Sequence, residues 1–513
     1  MNYFKTKSIA GLLAAASEGG GLKRTLGPLQ LILLGIGAII GAGLFVRTAA
    51  ASAEAAGPSV TLSFVVAAIA CAFAGLCYAE FSSMIPIAGS AYTYAYATMG
   101  EIVAWIIGWS LILEYALGAA TVSIAWSEYL NKLLENLHIA PIPYEWCHSP
   151  LELSAGGLHG IMNLPALFIL FLLTLLLIRG TQESAMVNGV IVFLKVAIVL
   201  VFIVVGWQFI NPANQTPYFV DAATPDVLNA KGVLLISYKS FFHHGWGGVV
   251  GGAAIVFFAF IGFDAVSTAA QEAKNPERDM PIGILGSLVV CTILYILFAH
   301  VLTGVASWHD FADPAKGKEA SVAYVIQTYM KGYEWLGTAV TLAILAGFSS
   351  VILVMLMGQS RVFFSMSKDG LLPKMFSDIH PRFRTPYKSN WMLLAFVGLF
   401  AAFVPGSVAG DLTSIGTLFA FALVCAGIIV MRRNSPELPR PFRTPLVPLV
   451  PILGIGVCGF MIISLPIATQ LSALGWMVVG LGIYFMYGVS HSRLQSGDVA
   501  AITAEDIDNH LVH

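Results

Sequence analysis

Three charged side chains lie in the middle of long apolar stretches, where charge is costly if the stretch crosses a bilayer. Glu114 lies in WSLILEYALG, Lys195 in VIVFLKVAIVL and Asp264 in FFAFIGFDAV. Each charge at the centre of a spanning helix costs at least about 2.5 kcal/mol, and such residues are usually functional. The alternatives are a structural ion pair or a hydrogen bond to helix carbonyl groups.

The same three side chains could exchange protons. Burial in apolar surroundings disfavours the charged form, so Lys195 could bind and release a proton near neutral pH. Glu114 and Asp264 are expected to carry a proton unless a cation pairs with them. Two other acidic residues, Glu80 and Glu272, are expected at helix ends that water reaches.

Glycines interrupt the apolar stretch nearest the N-terminus, which reads GIGAIIGAGLF from Gly35 to Phe45. Glycine costs about 1 kcal/mol relative to alanine in a helix interior. One interpretation is close helix packing, because Gly37 and Gly41 form a GxxxG step. The other is a helix that unwinds at Ile40–Gly43 and turns free amide groups toward a bound carboxylate.

A matching interruption in the sixth apolar stretch favours the second interpretation. This stretch runs from Gly247 to Pro281, and Gly262 and Asp264 follow its apolar run FFAFI. Glycine-broken segments at corresponding positions of two halves point to a transporter with inverted repeats. The halves would cover residues 29–210 and 249–431. The repeat is inferred from the interruptions and the number of spans, since the two halves show no residue-level identity.

The composition requires lipid as the solvent for most of these stretches. Of the 513 residues, 58% are hydrophobic and only 11% are charged, whereas soluble domains carry about 25% charged residues. We expect an all-α membrane protein with twelve spans, the first of them retained rather than cleaved as a signal peptide. The predicted spans are Leu29–Ala53, Val60–Met84, Ile102–Tyr129, Leu164–Ile178, Met186–Ile210, Val249–Ala270, Ile282–Ser307, Leu336–Met366, Trp391–Val404, Leu412–Met431, Leu446–Leu465 and Leu471–Val489.

The positions of lysine and arginine predict the orientation. With twelve spans, 18 of the 26 basic residues fall on the side of the termini, 6 on the other side and 2 within spans. Positive loops stay inside, so both termini are expected in the cytoplasm. The chain then divides into a cytoplasmic N-terminal segment (1–28), a core (29–431), two further spans (432–489) and a cytoplasmic tail (490–513).

Several classes of protein are disfavoured by the remaining residues. The net charge of −2 gives no basis for binding nucleic acid. The six cysteines form neither a disulfide framework nor a CxxC metal site. Neither a nucleophile–base motif nor a set of metal ligands is apparent, so an enzyme is not expected and no cofactor or metal is predicted.

At three motifs the chain resembles the cationic amino acid transporter group of the amino acid–polyamine–organocation superfamily. The motifs are GIGAIIGAGLFV, FFAFIGFDAVST followed by EAKNPERDMPIGI, and the long MLMGQSRVFFSMSKDGLLPKMFSDIHPRFRTP. Similar segments extend from Leu26 to Pro445. The resemblance implies a LeuT-like five-plus-five inverted repeat with discontinuous first and sixth spans, followed by two extra spans.

The resemblance also implies roles for individual residues. The unwound first span would bind the substrate carboxylate through the amides of Ile40, Gly41, Ala42 and Gly43. Carbonyls of the sixth span would bind the α-ammonium, which corresponds to Phe258, Ala259 and Ile261. Lys195 matches a lysine that replaces sodium and implies proton coupling, while Glu114 and Asp264 match acidic positions thought to tune substrate or proton binding.

The sequence therefore predicts a secondary carrier that takes up amino acids together with protons across a bacterial inner membrane. An exchanger of amino acids or polyamines is a second hypothesis, and a membrane sensor that binds amino acids without transport is a third. Which amino acids bind is not readable from these residues, because short bacterial members of the group often prefer neutral substrates.

Overall fold

The computed structural model describes residues 2–7, 24–41, 43–87, 89–152, 158–228, 234–312, 321–465 and 467–496. Ala42, one of the predicted site residues, lies outside this part of the chain. The described residues are mostly helical, and each of the twelve predicted spans overlaps at least one helix. The one strand pair seen in them is a short antiparallel hairpin, β1 (Val227–Leu228) with β2 (Leu234–Ile236).

The N-terminal half forms eight α-helices among the described residues. They are α1 Pro28–Ile39, α2 Thr48–Ala51, α3 Val60–Met84, α4 Ala91–Thr98, α5 Glu101–Leu111, α6 Gly118–Asn136, α7 Leu164–Arg179 and α8 Thr181–Gly206. Wide π-helical turns at Gly43–Arg47 and Ser52–Ala56 flank α2, and another at Ile112–Leu117 joins α5 to α6. The predicted first span is thus divided after α1, and the third contains a local distortion.

The described residues of the C-terminal half form twelve further α-helices. They are α9 Gly245–Phe257, α10 Ala265–Thr268, α11 Pro276–Val305, α12 Trp308–Ala312, α13 Ser321–Tyr329, α14 Glu334–Lys368, α15 Tyr387–Phe403, α16 Gly406–Asn434, α17 Leu449–Ser464, α18 Ile467–Ile483, α19 Val489–His491 and α20 Arg493–Ser496. A π-helical turn, Tyr484–Gly488, follows α18. The sixth span is divided between α9 and α10.

Length and composition identify the segments that could cross a membrane. Within the described residues, eight helical stretches are long and apolar enough, and four shorter apolar helices accompany them. The shorter ones include α1, α7 and α15. Most long helices extend beyond the predicted spans, because polar residues such as Pro276–Asp279 continue the helix past the apolar run.

The helices pack as two groups with connecting helices between them. In the first group α11 packs against α1 and α3, and α3 packs against α9; α6, α7, α14 and α15 form the second group. α8 lies against α1 and α14 and therefore touches both groups. The interrupted helices belong to the first group, so the site lies where the two groups meet.

Both ends of the described chain lie at one face of the bundle, which we name the terminal face. Lys5 Nζ donates a hydrogen bond to the Leu494 carbonyl at 2.9 Å, and Gln495 Nε2 donates to the Asn2 carbonyl at 2.8 Å. α14 ends at this face, where Asp369 forms an ion pair with Lys7.

Candidate functional site

The two interrupted helices meet at their interruptions. α1 ends at Ile39, and α9 passes into a 3₁₀ turn at Phe258–Phe260 before the chain turns at Gly262, whose φ is +112°. A Cβ added at Gly43 would lie 2.2 Å from Ala259 Cα. This spacing excludes any side chain at Gly43, so the glycine pattern reflects direct backbone contact between the two interruptions.

One hydroxyl group joins the two interruptions. Tyr295 on α11 is fully buried, and its hydroxyl lies 2.9 Å from the Ile39 carbonyl and 2.9 Å from the Ala259 carbonyl. Helix ends leave carbonyl groups without an intrahelical donor, and Tyr295 supplies one. A hydroxyl has a single proton to donate, so it can serve only one of these carbonyls at a time.

A narrow cavity lies between the interruptions and the second group of helices. Gly41 and Gly43 from the first span and Phe258 and Ile261 from the sixth line it. The rest of its wall is formed by Ala38, Ile39, Gly118, Val122, Val351, Met355 and Thr413. Arg47 lies over the ring of Phe258, 5.4 Å from its centroid, at one side of this cavity. The cavity thus combines exposed backbone groups with an apolar wall.

Lys195 on α8 lies fully buried against the first interruption. Its Nζ donates hydrogen bonds to the carbonyls of Gly37 at 2.9 Å and Ile40 at 2.8 Å, with Ser350 Oγ at 3.5 Å. The thiol of Cys291 on the neighbouring α11 lies close enough to Lys195 to interact with it electrostatically. The lysine therefore binds helix carbonyls rather than a carboxylate, which is one of the alternatives that the sequence left open.

Glu114 and Asp264 are brought together from separate spans. Glu114 lies in the π-helical turn Ile112–Leu117 and Asp264 just before α10; both are fully buried, and their carboxyl groups are close enough to interact electrostatically. Tyr115 donates a hydrogen bond to Asp264 Oδ2. Among the described residues, neither carboxyl oxygen of Glu114 has a well-aligned hydrogen-bond partner. The structure thus brings the two acidic residues that the sequence singled out on the third and sixth spans into one buried cluster.

Between the cavity and the terminal face, a buried ion pair joins the two groups of helices. Arg361 Nε on α14 donates to Glu272 Oε1 at 2.8 Å, and the two residues are 4% and 0% exposed. The expectation that water reaches Glu272 and Glu80 is wrong. Glu80 is also fully buried, and its Oε2 lies 2.7 Å from Arg432 Nη2. Both carboxylates are shielded from water because basic residues distant in the sequence cover them.

The sequence found most of the residues that line this region and missed others. It named Ile40, Gly41, Gly43, Phe258, Ala259, Ile261, Lys195, Glu114 and Asp264, all of which lie at or beside the interruptions. It did not find Tyr295, Ser350 or Arg361. Arg361 lies in a motif quoted above, MLMGQSRVFFSM, but only its position opposite Glu272 reveals its role.

Comparison with known proteins identifies the family. A family model described as amino acid permease matches residues 26–488. The chain is 44% identical over 498 residues to the branched-chain amino acid permease BcaP of Bacillus subtilis (strain 168), which covers 96% of this chain and 99% of that protein. It is 40% identical over 487 residues to the methylthioribose transporter of the same organism, covering 94% and 97% of the two chains.

A more distant relative matches the resemblance seen in the motifs. The chain is 38% identical over 425 residues to the chloroplastic cationic amino acid transporter 9 of Arabidopsis thaliana, covering 82% of this chain and 69% of that protein. The superfamily assignment made from the motifs is thereby confirmed, as is the expectation of a transporter rather than an enzyme. The chain belongs to the amino acid permease family of the amino acid–polyamine–organocation superfamily, whose members are multi-pass membrane transporters.

Proposed function

We propose that this permease carries amino acids into the cell together with protons, with apolar α-amino acids as its substrates. The observation that carries the proposal is the direct contact of the two interruptions, where Gly43 meets Ala259 beside the buried Lys195. Amide groups of one interrupted helix and carbonyl groups of the other offer complementary dipoles to a zwitterion.

The substrate backbone would bind between these groups. The Ile40 amide already donates to the Ile36 carbonyl at 3.0 Å, so the carboxylate would accept hydrogen bonds from the amides that follow it, Gly41 to Gly43. The α-ammonium would donate to carbonyls of Phe258, Ala259 and Ile261. The side chain would extend toward Val122, Val351 and Met355, which line the cavity. This wall favours an aliphatic side chain, in agreement with the name of the B. subtilis branched-chain permease.

Proton coupling is assigned to Lys195, with Asp264 as an additional proton-binding group and Glu114 beside the substrate. A protonated lysine can hold the carbonyls of Gly37 and Ile40, and a neutral one holds them more weakly. Loss of the proton would therefore loosen α1 from α8. In this proposal the transported proton is bound when the site faces one side and released when it faces the other.

The twelve helical spans are assigned to two inverted repeats of five, at residues 29–210 and 249–431, and two further spans at 432–489. The glycine interruptions of the first and sixth spans support this division. The excess of basic residues on the side of the termini supports a terminal face in the cytoplasm of a bacterial cell, with 1–28 and 490–513 on that side. Alternating access would then open the cavity to either face in turn.

Counterflow into proteoliposomes tests the substrate class. We expect unlabelled leucine inside to drive uptake of labelled leucine, whereas arginine, putrescine and methylthioribose do not compete. Efficient uptake of methylthioribose without leucine uptake would contradict the proposal and favour the function named for the second relative. Competition by putrescine, which has no carboxylate, would favour polyamine exchange.

A second measurement separates symport from exchange. Liposomes without internal amino acid should accumulate leucine when an inward proton gradient is imposed, with or without sodium. An exchanger would show counterflow and no accumulation. A sensor would bind leucine and show neither.

A further inference from the structure

A chain of hydrogen bonds leads from Lys195 to Asn188 through Ser350. Asn188 lies two turns before Lys195 on the same face of α8, is 2% exposed and has its Oδ1 2.6 Å from Ser350 Oγ. Asn188 Nδ2 donates to the Leu33 carbonyl of α1 at 3.2 Å. α8 thus holds α1 through Asn188 at the Leu33 carbonyl and through Lys195 at the carbonyls of Gly37 and Ile40, and Ser350 of α14 lies between these two side chains.

Close contact with α1 leaves little freedom to Asn188. A Cβ added at Gly37 would lie 2.5 Å from Asn188 Oδ1 and 2.9 Å from Ser350 Oγ. The two polar groups therefore occupy the space that any other residue at Gly37 would fill. This gives Gly37 a second role beyond helix packing, since its missing side chain admits the hydrogen-bonded pair.

The number of donors and acceptors around Lys195 makes this hydrogen-bond chain depend on whether the lysine is protonated. A protonated amine has three N–H donors, and it faces three acceptors: the carbonyls of Gly37 and Ile40 and the hydroxyl oxygen of Ser350. Ser350 Oγ lies 2.6 Å from Asn188 Oδ1 and 3.0 Å from the Gly37 carbonyl. Since the lysine donates to that carbonyl, the one hydroxyl proton of Ser350 goes to the closer Asn188. When Lys195 is neutral, its nitrogen has a lone pair that can accept the Ser350 proton instead.

We propose that Asn188 is a positioning residue for the proton-coupled step, whose hold on α1 depends on whether Ser350 donates to it or to Lys195. This rests on the proposed proton coupling at Lys195. With the lysine protonated, Ser350 donates to Asn188 Oδ1 and the amide stays directed at the Leu33 carbonyl. With the lysine neutral, Asn188 loses this donor and its bond to Leu33 weakens. The amide does not change its protonation state, and it is bonded to neither the substrate nor the coupling nitrogen.

The test compares Asn188→Leu with Asn390→Leu. Asn390 is the control because it is another buried asparagine, lies on α15 and is not part of the hydrogen-bond chain. Each protein is assayed for leucine counterflow and for accumulation under an imposed proton gradient. We expect Asn188→Leu to keep counterflow within about threefold of the native protein and to lose accumulation by about tenfold, the effect of one hydrogen bond to a charged network. Asn390→Leu should keep both activities.

A second variant keeps the test decisive if Asn188→Leu does not fold. Ser350→Ala interrupts the chain while the bonds from Lys195 to Gly37 and Ile40 remain, and it should show the same selective loss of accumulation. Full accumulation by either folded variant would overturn the proposal, as would a parallel loss of both activities, which indicates a merely structural role. If the native protein itself shows counterflow without proton-driven accumulation, the proposed proton coupling fails instead.

Discussion

Replacing Gly43 with alanine should separate the two interrupted helices and weaken substrate binding. The added Cβ would lie 2.2 Å from Ala259 Cα and 2.9 Å from Ala259 N, whereas ordinary contacts begin at 3.4 Å. The two segments must therefore move apart by roughly 1 Å, because the obstructing atoms belong to the backbone and cannot rotate away. Overpacking of this kind typically costs about 1–3 kcal/mol of stability.

The same displacement would take the amides of the first span out of hydrogen-bond range of a carboxylate. Losing one such charge-assisted bond costs about 1.5–3 kcal/mol, or about 10- to 150-fold in affinity. Equilibrium binding of labelled leucine to the purified protein measures this loss. Gly456→Ala on α17 is the matched control, because a Cβ there meets no atom within 4 Å.

The affinity of the folded Gly43→Ala protein distinguishes a role of Gly43 in substrate binding from a role in helix packing alone. A folded Gly43→Ala protein with native affinity would refute the assignment of the carboxylate to this interruption. A leucine substitution at Gly41, whose Cβ would lie 2.7 Å from Val351 Cγ2, extends the test, and we expect it to abolish binding. A Gly41→Leu protein that binds leucine normally would contradict the cavity as the binding site.

Three further predictions follow from features of the structure. Lys195→Ala should still bind leucine but lose proton-driven accumulation in proteoliposomes; if the folded variant still accumulates leucine, Glu114 or Asp264 becomes the coupling residue. Glu272→Gln should lower the free energy of unfolding by about 3–5 kcal/mol, because the buried Arg361 would lose the charge of the carboxylate to which it donates, while the exposed Glu277→Gln changes it little. Equal melting temperatures would show that this pair contributes no stability. Reporter fusions after Ser367 and Arg433 should be cytoplasmic and one after Lys331 external, and an external Ser367 fusion would refute the orientation.

The helices were predictable because each apolar run is long and continuous. The predicted Val60–Met84 coincides with α3, and the short fourth span coincides with α7 to within one residue. Boundaries elsewhere differ where polar residues extend a helix, as at α11. The hairpin β1–β2 and the buried helix α4 were not predicted, because both depend on contacts with other segments rather than on a local apolar pattern.

The site was predictable where glycine or a buried charge marked it. Gly43 and Lys195 were recognisable because each violates the expected composition of a spanning helix. Tyr295, Asn188 and Ser350 were not, since neutral polar residues are common in such helices and their partners here are backbone carbonyls, which have no signature in sequence. The spacing of Asn188 and Lys195, which places both on one face of the fifth span, was the available signal.

The first span is joined to the sixth at two heights. Just before α1 begins, the amides of Thr25 and Leu26 donate to the Glu272 carbonyl at 2.9 Å, and the Lys274 amide donates to the Leu26 carbonyl. At the other end of α1, Tyr295 joins Ile39 to Ala259. The 12 residues of α1 separate these attachments by about 18 Å. The first attachment lies on the half of the sixth span that follows Gly262, and the second reaches, through Tyr295 of α11, the half that precedes it. Any tilt of α1 must therefore either break these hydrogen bonds or move both halves of the sixth span with it.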